Sequence, residues 1–325
     1  MHARHCHSLK RACLPLLLMA ALGVPSATPE NAVARRRPSL SAALPVPARP
    51  DFRVDSAVVL IHVAITDEKG RFVTGLAKEN FQIFEEKTEQ EVRYFSAEEA
   101  PLSVGLVLDF SRSMTPKFSQ LQEAVAQFLK AANPEDEFCL VEFRDHAALT
   151  MDFTRAPEKI QNRVALAQPE GSTALLDAVY LALGQMKKAH NPRKALLIVS
   201  DGGDNHSRFC TRDVKNLARE SDVEIYAIGV TRDGGGFENL MGPDLLSELS
   251  EQGGGRYYEI DHPRDLPAVA EKIGLELRHQ YVLGYTPANQ ERDGKYRRVR
   301  VKIVRPAGLR KLSADWRRGY YAPAN

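Results

Sequence analysis

Between residues 103 and 280 the chain alternates short apolar runs with apolar positions spaced as on one face of a helix. The runs at 104–108 and 195–199 have no polar interruption, as expected of strands buried on both faces. Phe118, Leu121, Val125, Phe128 and Leu129 form a first helical stripe, and Leu175, Leu176, Val179, Leu183 and Met186 a second. A third, Leu266, Val269, Ala270, Ile273 and Leu277, closes the region. Further strands are predicted at 137–143, 223–230 and 256–260, with 149–153 as an antiparallel edge, and further helices at 214–218 and 245–251. Strand and helix in alternation predict an α/β domain with a doubly wound, mostly parallel sheet over residues 98–280.

On either side the period changes to two. Residues 58–65, 73–76, 81–85 and 91–95 read as short strands, and so do 281–285 and 296–304, where Arg298, Arg300 and Lys302 alternate with Val299, Val301 and Ile303. Neither segment, 52–97 or 281–325, has enough strands to bury a two-sheet core alone. Together they predict a small β-sandwich flanking the α/β domain, because domain termini often lie close together.

Residues 1–27 carry a basic start, an apolar stretch from Leu14 to Val24 and then Pro25-Ser26-Ala27, the three-part composition of an export signal. The apolar stretch is about half of the ~20 residues that span a bilayer. Residues 28–51 are rich in Pro, Ala and Arg without a period, which reads as a linker. The formal net charge is +2; seven Lys/Arg and Glu30 lie within residues 1–50, so that part carries +6 and the remainder −4. A mildly acidic body argues against a general nucleic-acid binder. Eleven basic residues between 292 and 318, against Asp293 and Asp315, read as a solvated outer face; the alternative is a surface for a polyanionic or acidic partner. Of the four cysteines, Cys139 in a buried strand and Cys210 in a polar segment are expected to be free thiols.

The run at 104–108 ends abruptly in Asp109, followed by hydroxyls at Ser111 and Ser113. The run at 195–199 ends in Ser200-Asp201, and Gly171-Ser172-Thr173 precedes the second helical stripe. In an open parallel sheet, strand ends that share one edge form the ligand crevice. Carboxylates and hydroxyls gathered there suit a hard divalent cation. Two carboxylates at one edge are also costly unless a cation neutralises them. Asp109, Ser111, Ser113, Thr173 and Asp201, in this order and context, resemble the metal-ion-dependent adhesion site of von Willebrand factor type A domains. The β segments resemble those of a secreted bacterial group of such proteins, through the stretches 66–85 and 281–287 and the closing Arg317-Arg318-Gly319-Tyr320.

The resemblance implies a von Willebrand A/Rossmann-like fold that binds Mg2+ (or Mn2+ or Ca2+). The serines and the threonine would touch the ion, and the aspartates would act mostly through water. One coordination position would be left for a Glu or Asp carboxylate of a protein partner. Catalysis is not expected: no histidine has the strand-end placement of a general base, and the sequence holds no phosphate-binding loop motif. Asp204, three residues after Asp201, is a candidate for a second ion or simply part of a polar turn. The expectation is an exported, metal-dependent adhesion module, secreted or in the cell envelope. The alternatives are an envelope subunit that binds through its β segments and, if the signal is false, a cytoplasmic partner of an ATPase.

Overall fold

Four short strands open the described part of the chain: β1 (Val59–Thr66), β2 (Phe81–Glu85), β3 (Thr88–Gln90) and β4 (Tyr94–Ser96). The α/β domain follows as β5 (Leu102–Asp109), a 3-10 turn (Arg112–Lys117), α1 (Phe118–Lys130), β6 (Glu137–Phe143), β7 (Ala147–Thr154), α2 (Pro157–Ala165), α3 (Leu175–Met186) and β8 (Arg193–Ser200). It continues as α4 (Thr211–Glu220), β9 (Glu224–Val230), α5 (Met241–Gly253), β10 (Tyr257–Ile260) and α6 (Leu266–Arg278). Four more strands come last, β11 (Gln280–Tyr285), β12 (Tyr296–Ile303), β13 (Ser313–Trp316) and β14 (Gly319–Tyr321). This is a computed structural model, and it describes residues 58–97, 100–201, 203–230, 241–306 and 311–324. The expected signal and linker, and residues 52–57, lie outside the described residues.

The central sheet runs β10-β9-β8-β5-β6-β7. Its neighbouring strands are parallel except for β6 with β7, which are antiparallel. Strands β5, β6 and β8 sit in the middle and are covered on both faces, which is why the runs at 104–108 in β5 and 195–199 in β8 are apolar. On one face Leu102, Val104 and Leu106 pack in a core with Leu121, Val125 and Phe128 of α1 and with Ile273 and Leu277 of α6. On the other, Val107, Cys139 and Ile198 share a core with Leu175, Val179 and Leu183 of α3, Val214 of α4 and Leu249 of α5. Gly105 makes room for β8 and α3 together: a Cβ there would lie 2.5 Å from a methyl of Leu196 and 3.3 Å from the Met186 sulfur. The result is the doubly wound α/β architecture that the alternating pattern predicts. Cys139 and Cys210 are not joined by a disulfide, and burial pushes the Cys139 thiol up to about 12.

Two antiparallel sheets flank this domain, in the orders β13-β1-β11-β4 and β14-β12-β2-β3. Each takes strands from both sides of the α/β domain. Val63 pairs with Tyr281, and Ile83 with Val301, so each ladder joins segments from opposite ends of the described chain. Their inner faces, including Ile61, Val63, Ile65, Ile83, Leu283 and Val299, make a third core. Buried Glu85 accepts hydrogen bonds from the Tyr285 and Tyr320 hydroxyls, both at 2.8 Å, and so ties strands of the two sheets together.

Locally the structure departs from the periodic pattern in several places, among them the short strands β3, β13 and β14, which no period predicts. Residues 73–76 are not a strand; Phe72 makes an isolated bridge with Thr66, and the Val73 carbonyl and Leu76 amide are taken up by the Tyr281 hydroxyl instead. The strand expected at 91–95 is β4, which begins only at Tyr94 because residues 91–93 carry the chain from one sheet to the other. Helix α2 is not predicted by periodicity, since only Ile160 and Val164 of its nine residues are buried and its stripe is faint.

Candidate metal centre

Strands β5 and β8 are neighbours and parallel, with Leu108 opposite Val199, so Asp109 and Asp201 leave the same edge of the sheet side by side. Asp109 is fully buried. One of its oxygens accepts the Ser111 amide at 2.9 Å and the other accepts the Ser200 hydroxyl at 2.5 Å. Past Asp109 the chain turns through the 3-10 segment, which brings the Ser111 and Ser113 hydroxyls within 2.9 Å of each other. The Ser113 hydroxyl then donates to Asp201 Oδ1 at 2.7 Å. Ser111, Ser113 and Asp201 thus form one hydrogen-bonded chain beside Asp109.

Thr173 is buried in the loop before α3. That loop is joined to the β5 loop through the backbone, with the Glu170 amide on the Phe110 carbonyl at 2.8 Å and the Arg112 amide on the Gly171 carbonyl at 3.2 Å. It is joined to the β8 loop as well: the Thr173 amide donates to Asn205 Oδ1 at 3.0 Å, and its carbonyl accepts the Asn205 and His206 amides. Gly171 makes the turn possible with a φ of +78°. A side chain there would collide with the Asp145 carboxylate, which accepts the Ser172 amide at 2.8 Å. This bond holds the Asp145 carboxyl below the usual range. The connection of Thr173 to the other four residues therefore runs through the bonds of its loop.

Burial pushes the Asp109 carboxyl up to about 6; hydrogen bonds from Ser111 and Ser200 oppose the rise, and the neighbouring Asp201 adds to it. The ionised form is costly in such surroundings, and a nearby cation would relieve it. The donors are carboxylate and hydroxyl oxygens, which suit a hard divalent ion and not a thiolate- or imidazole-seeking one. Among the described residues no three His, Cys, Asp or Glu side chains converge as a metal-holding group; this donor set has two carboxylates and completes itself with hydroxyls. On these grounds the residues fit a bound divalent cation.

Lys117 belongs to the site, although the five-residue pattern does not include it. Its ammonium is buried and donates to Asp201 Oδ2 at 2.9 Å and to the Val230 carbonyl at 3.3 Å. The expectation that the two aspartates need an ion to neutralise them is corrected accordingly: Asp201 already has a cation. A signal does exist, because Lys117 falls four residues before Leu121 on the apolar stripe of α1, where a lysine needs a buried partner. Asp204 is accounted for without an ion. It accepts the Leu176 amide at 3.3 Å, where α3 begins, and also the Ser207 hydroxyl, and burial raises its carboxyl above the usual range.

Residues 104–203, from β5 to just beyond β8, match the family model of the von Willebrand factor type A domain. The α/β domain has the von Willebrand A fold. An uncharacterized protein of Borreliella burgdorferi is 25% identical over 187 residues, covering 50% of this chain and 54% of that protein. The chain thus spans about half the length of the curated relative it matches. Among solved structures, a von Willebrand factor type A protein from Catenulispora acidiphila aligns over 84% of this chain and 75% of its own, with 13% identity and a TM-score of 0.49. The corresponding domain of the type V pili tip protein Mfa5 from Porphyromonas gingivalis aligns over 55% of this chain and 95% of its own, with 15% identity and a TM-score of 0.44.

Proposed function

We propose that the protein is a non-catalytic binding module whose von Willebrand A domain captures a carboxylate of a protein partner through a divalent cation. The observation that carries this reading is the convergence of Asp109, Ser111, Ser113 and Asp201 at one sheet edge, joined in that order by hydrogen bonds of 2.9, 2.9 and 2.7 Å. Ser111, Ser113 and Thr173 would hold the ion directly, and Asp109 and Asp201 through water. Neutral hydroxyls next to the ion leave it electrophilic, so an outside Glu or Asp is welcome. Mg2+ is the first candidate, with Mn2+ and Ca2+ as alternatives. The non-catalytic part of the reading is supported by the partners of the two serine hydroxyls, which are each other and Asp201 rather than a histidine base.

We further propose export to the cell envelope or beyond, on the three-part composition of residues 1–27. Among the described residues no helix is long and apolar enough to cross a membrane. One observation favours binding through the β segments as a second reading: Arg298, Arg300 and Lys302 stand exposed in a row on β12, with Arg300 over the Phe84 ring at 4.9 Å.

The test is capture from an envelope extract with Mg2+ and with EDTA, using the wild type and Asp109→Ala. Loss of the same bound protein on chelation and on substitution supports the metal-bridged reading. Capture that persists unchanged in EDTA moves the function to the β segments.

A further inference from the structure

We propose that Lys117 is a built-in counter-charge of the metal centre, one that keeps the metal-free domain folded and lowers the centre's affinity for divalent ions. The inference rests on the reading of Asp109, Ser111, Ser113, Thr173 and Asp201 as a metal centre.

Lys117 closes the 3-10 turn that carries Ser113 and leads directly into α1, so its backbone is fixed by the same segment that shapes the site. Its position on the apolar stripe sends the side chain inward, where it is only 6% exposed. Burying an ammonium is expensive, and it is tolerated only where partners replace its water. The Asp201 carboxylate and the Val230 carbonyl do so, at 2.9 and 3.3 Å. Lys117 thereby joins the ends of β8 and β9 to the β5 loop.

The division of Asp201 is what gives this contact a consequence for metal binding. Oδ1 faces the Ser113 hydroxyl, and Oδ2 faces Lys117. In the absence of an ion the ammonium balances one of two adjacent carboxylates, while Asp109 is bonded to the uncharged Ser111 and Ser200. A divalent ion that enters must share Asp201 with a positive charge already seated on it. Like charges this close, in a site shielded from water, repel strongly. Once an ion is held, the same ammonium leaves the centre with more net positive charge, which favours an incoming carboxylate. A site of this design binds metal weakly alone and more firmly together with an anionic partner.

Calorimetric titration of Mg2+ into wild type, Lys117→Gln and Lys117→Arg tests this, with thermal melts in EDTA alongside. Glutamine keeps a hydrogen-bond donor near Asp201 without the charge, and arginine keeps the charge. Lys117→Gln should bind Mg2+ more tightly by on the order of tenfold or more. Its metal-free Tm should fall below that of the wild type, and saturating Mg2+ should close the gap. Lys117→Arg should stay near the wild type in affinity. Affinity of Lys117→Gln that is unchanged or weaker would overturn the proposal, since Lys117 would then only orient Asp201, while the metal reading would stand. Absence of Mg2+ binding in both wild type and Lys117→Gln would sink the metal reading itself and this proposal with it. If Lys117→Gln fails to fold in EDTA, recovery on refolding with Mg2+ supports the counter-charge. The double variant Lys117→Met, Asp201→Asn, which removes both charges, should then fold without metal; its failure to fold overturns the idea.

Discussion

Replacing Asp109 by asparagine should make the metal-free protein more stable at neutral pH. Asparagine has nearly the same shape, its oxygen can accept the Ser111 amide, and its amide can donate to the Ser200 oxygen. What it removes is a buried carboxylate whose pKa is raised from 3.8 to about 6. With about 1.4 kcal/mol per unit, that rise corresponds to roughly 3 kcal/mol of stability lost once the group ionises. Between the unfolded and folded pKa values the native state holds a proton that the unfolded state has released. Stability is therefore fully present below about pH 4 and is lost as pH rises through about 6. Urea denaturation in EDTA, run on both proteins from pH 4 to 7.5, isolates the contribution of Asp109 together with its coupling to Asp201, because groups that do not interact with Asp109 cancel in the difference. The variant should match the wild type near pH 4 and exceed it by about 1–3 kcal/mol at pH 7.5, the lower end allowing for weaker neutral hydrogen bonds. Mg2+ should then raise the stability of the wild type and leave Asp109→Asn unchanged. A variant less stable than the wild type in EDTA at pH 7.5 would contradict this account, since the carboxylate would then be satisfied by its neighbours and need no ion.

Ser111→Ala and Thr173→Ala should each weaken Mg2+ binding in calorimetry while the far-UV circular dichroism is kept, because the apolar strands carry the fold. Arg278→Ala should cost about 3–5 kcal/mol in urea denaturation, because it takes a cation from the fully buried Asp136, whose oxygens also hold the Leu102 and Asn133 amides at the entry to β5 and β6. A loss below about 1 kcal/mol would show that water replaces the guanidinium. Tyr285→Phe removes one of the two hydroxyls on Glu85 and should cost about 1–3 kcal/mol, read in the same assay.

Much of the α/β domain, and the edge on which the candidate site lies, could be read from the chain because burial on both faces leaves a local trace. From Val104 to Leu108 strand β5 is covered on both faces and carries only apolar side chains and one glycine, so the change to a polar residue at Asp109 marks its end. The same holds for β8 and Asp201, and helices α1, α3 and α6 show their inner faces at a spacing of three and four residues. These features depend on neighbours close in sequence.

Other features were settled only when distant segments met. The registers of β1 with β11 and of β2 with β12 join segments separated by the whole α/β domain, and period-two patterning names an inner face without naming its partner. Residues 73–76 have the composition of a strand, but Tyr281 takes up their polar groups in place of a ladder. Helix α2 lies against the domain with two buried side chains, too few to write a period. Lys117 shows the difference most directly. Its place on the apolar stripe of α1 is visible in the sequence, but the carboxylate that makes its burial tolerable sits 84 residues away, at the end of another strand. Charge is felt through space, and a chain read residue by residue records only which charges exist, not which of them the fold will set side by side.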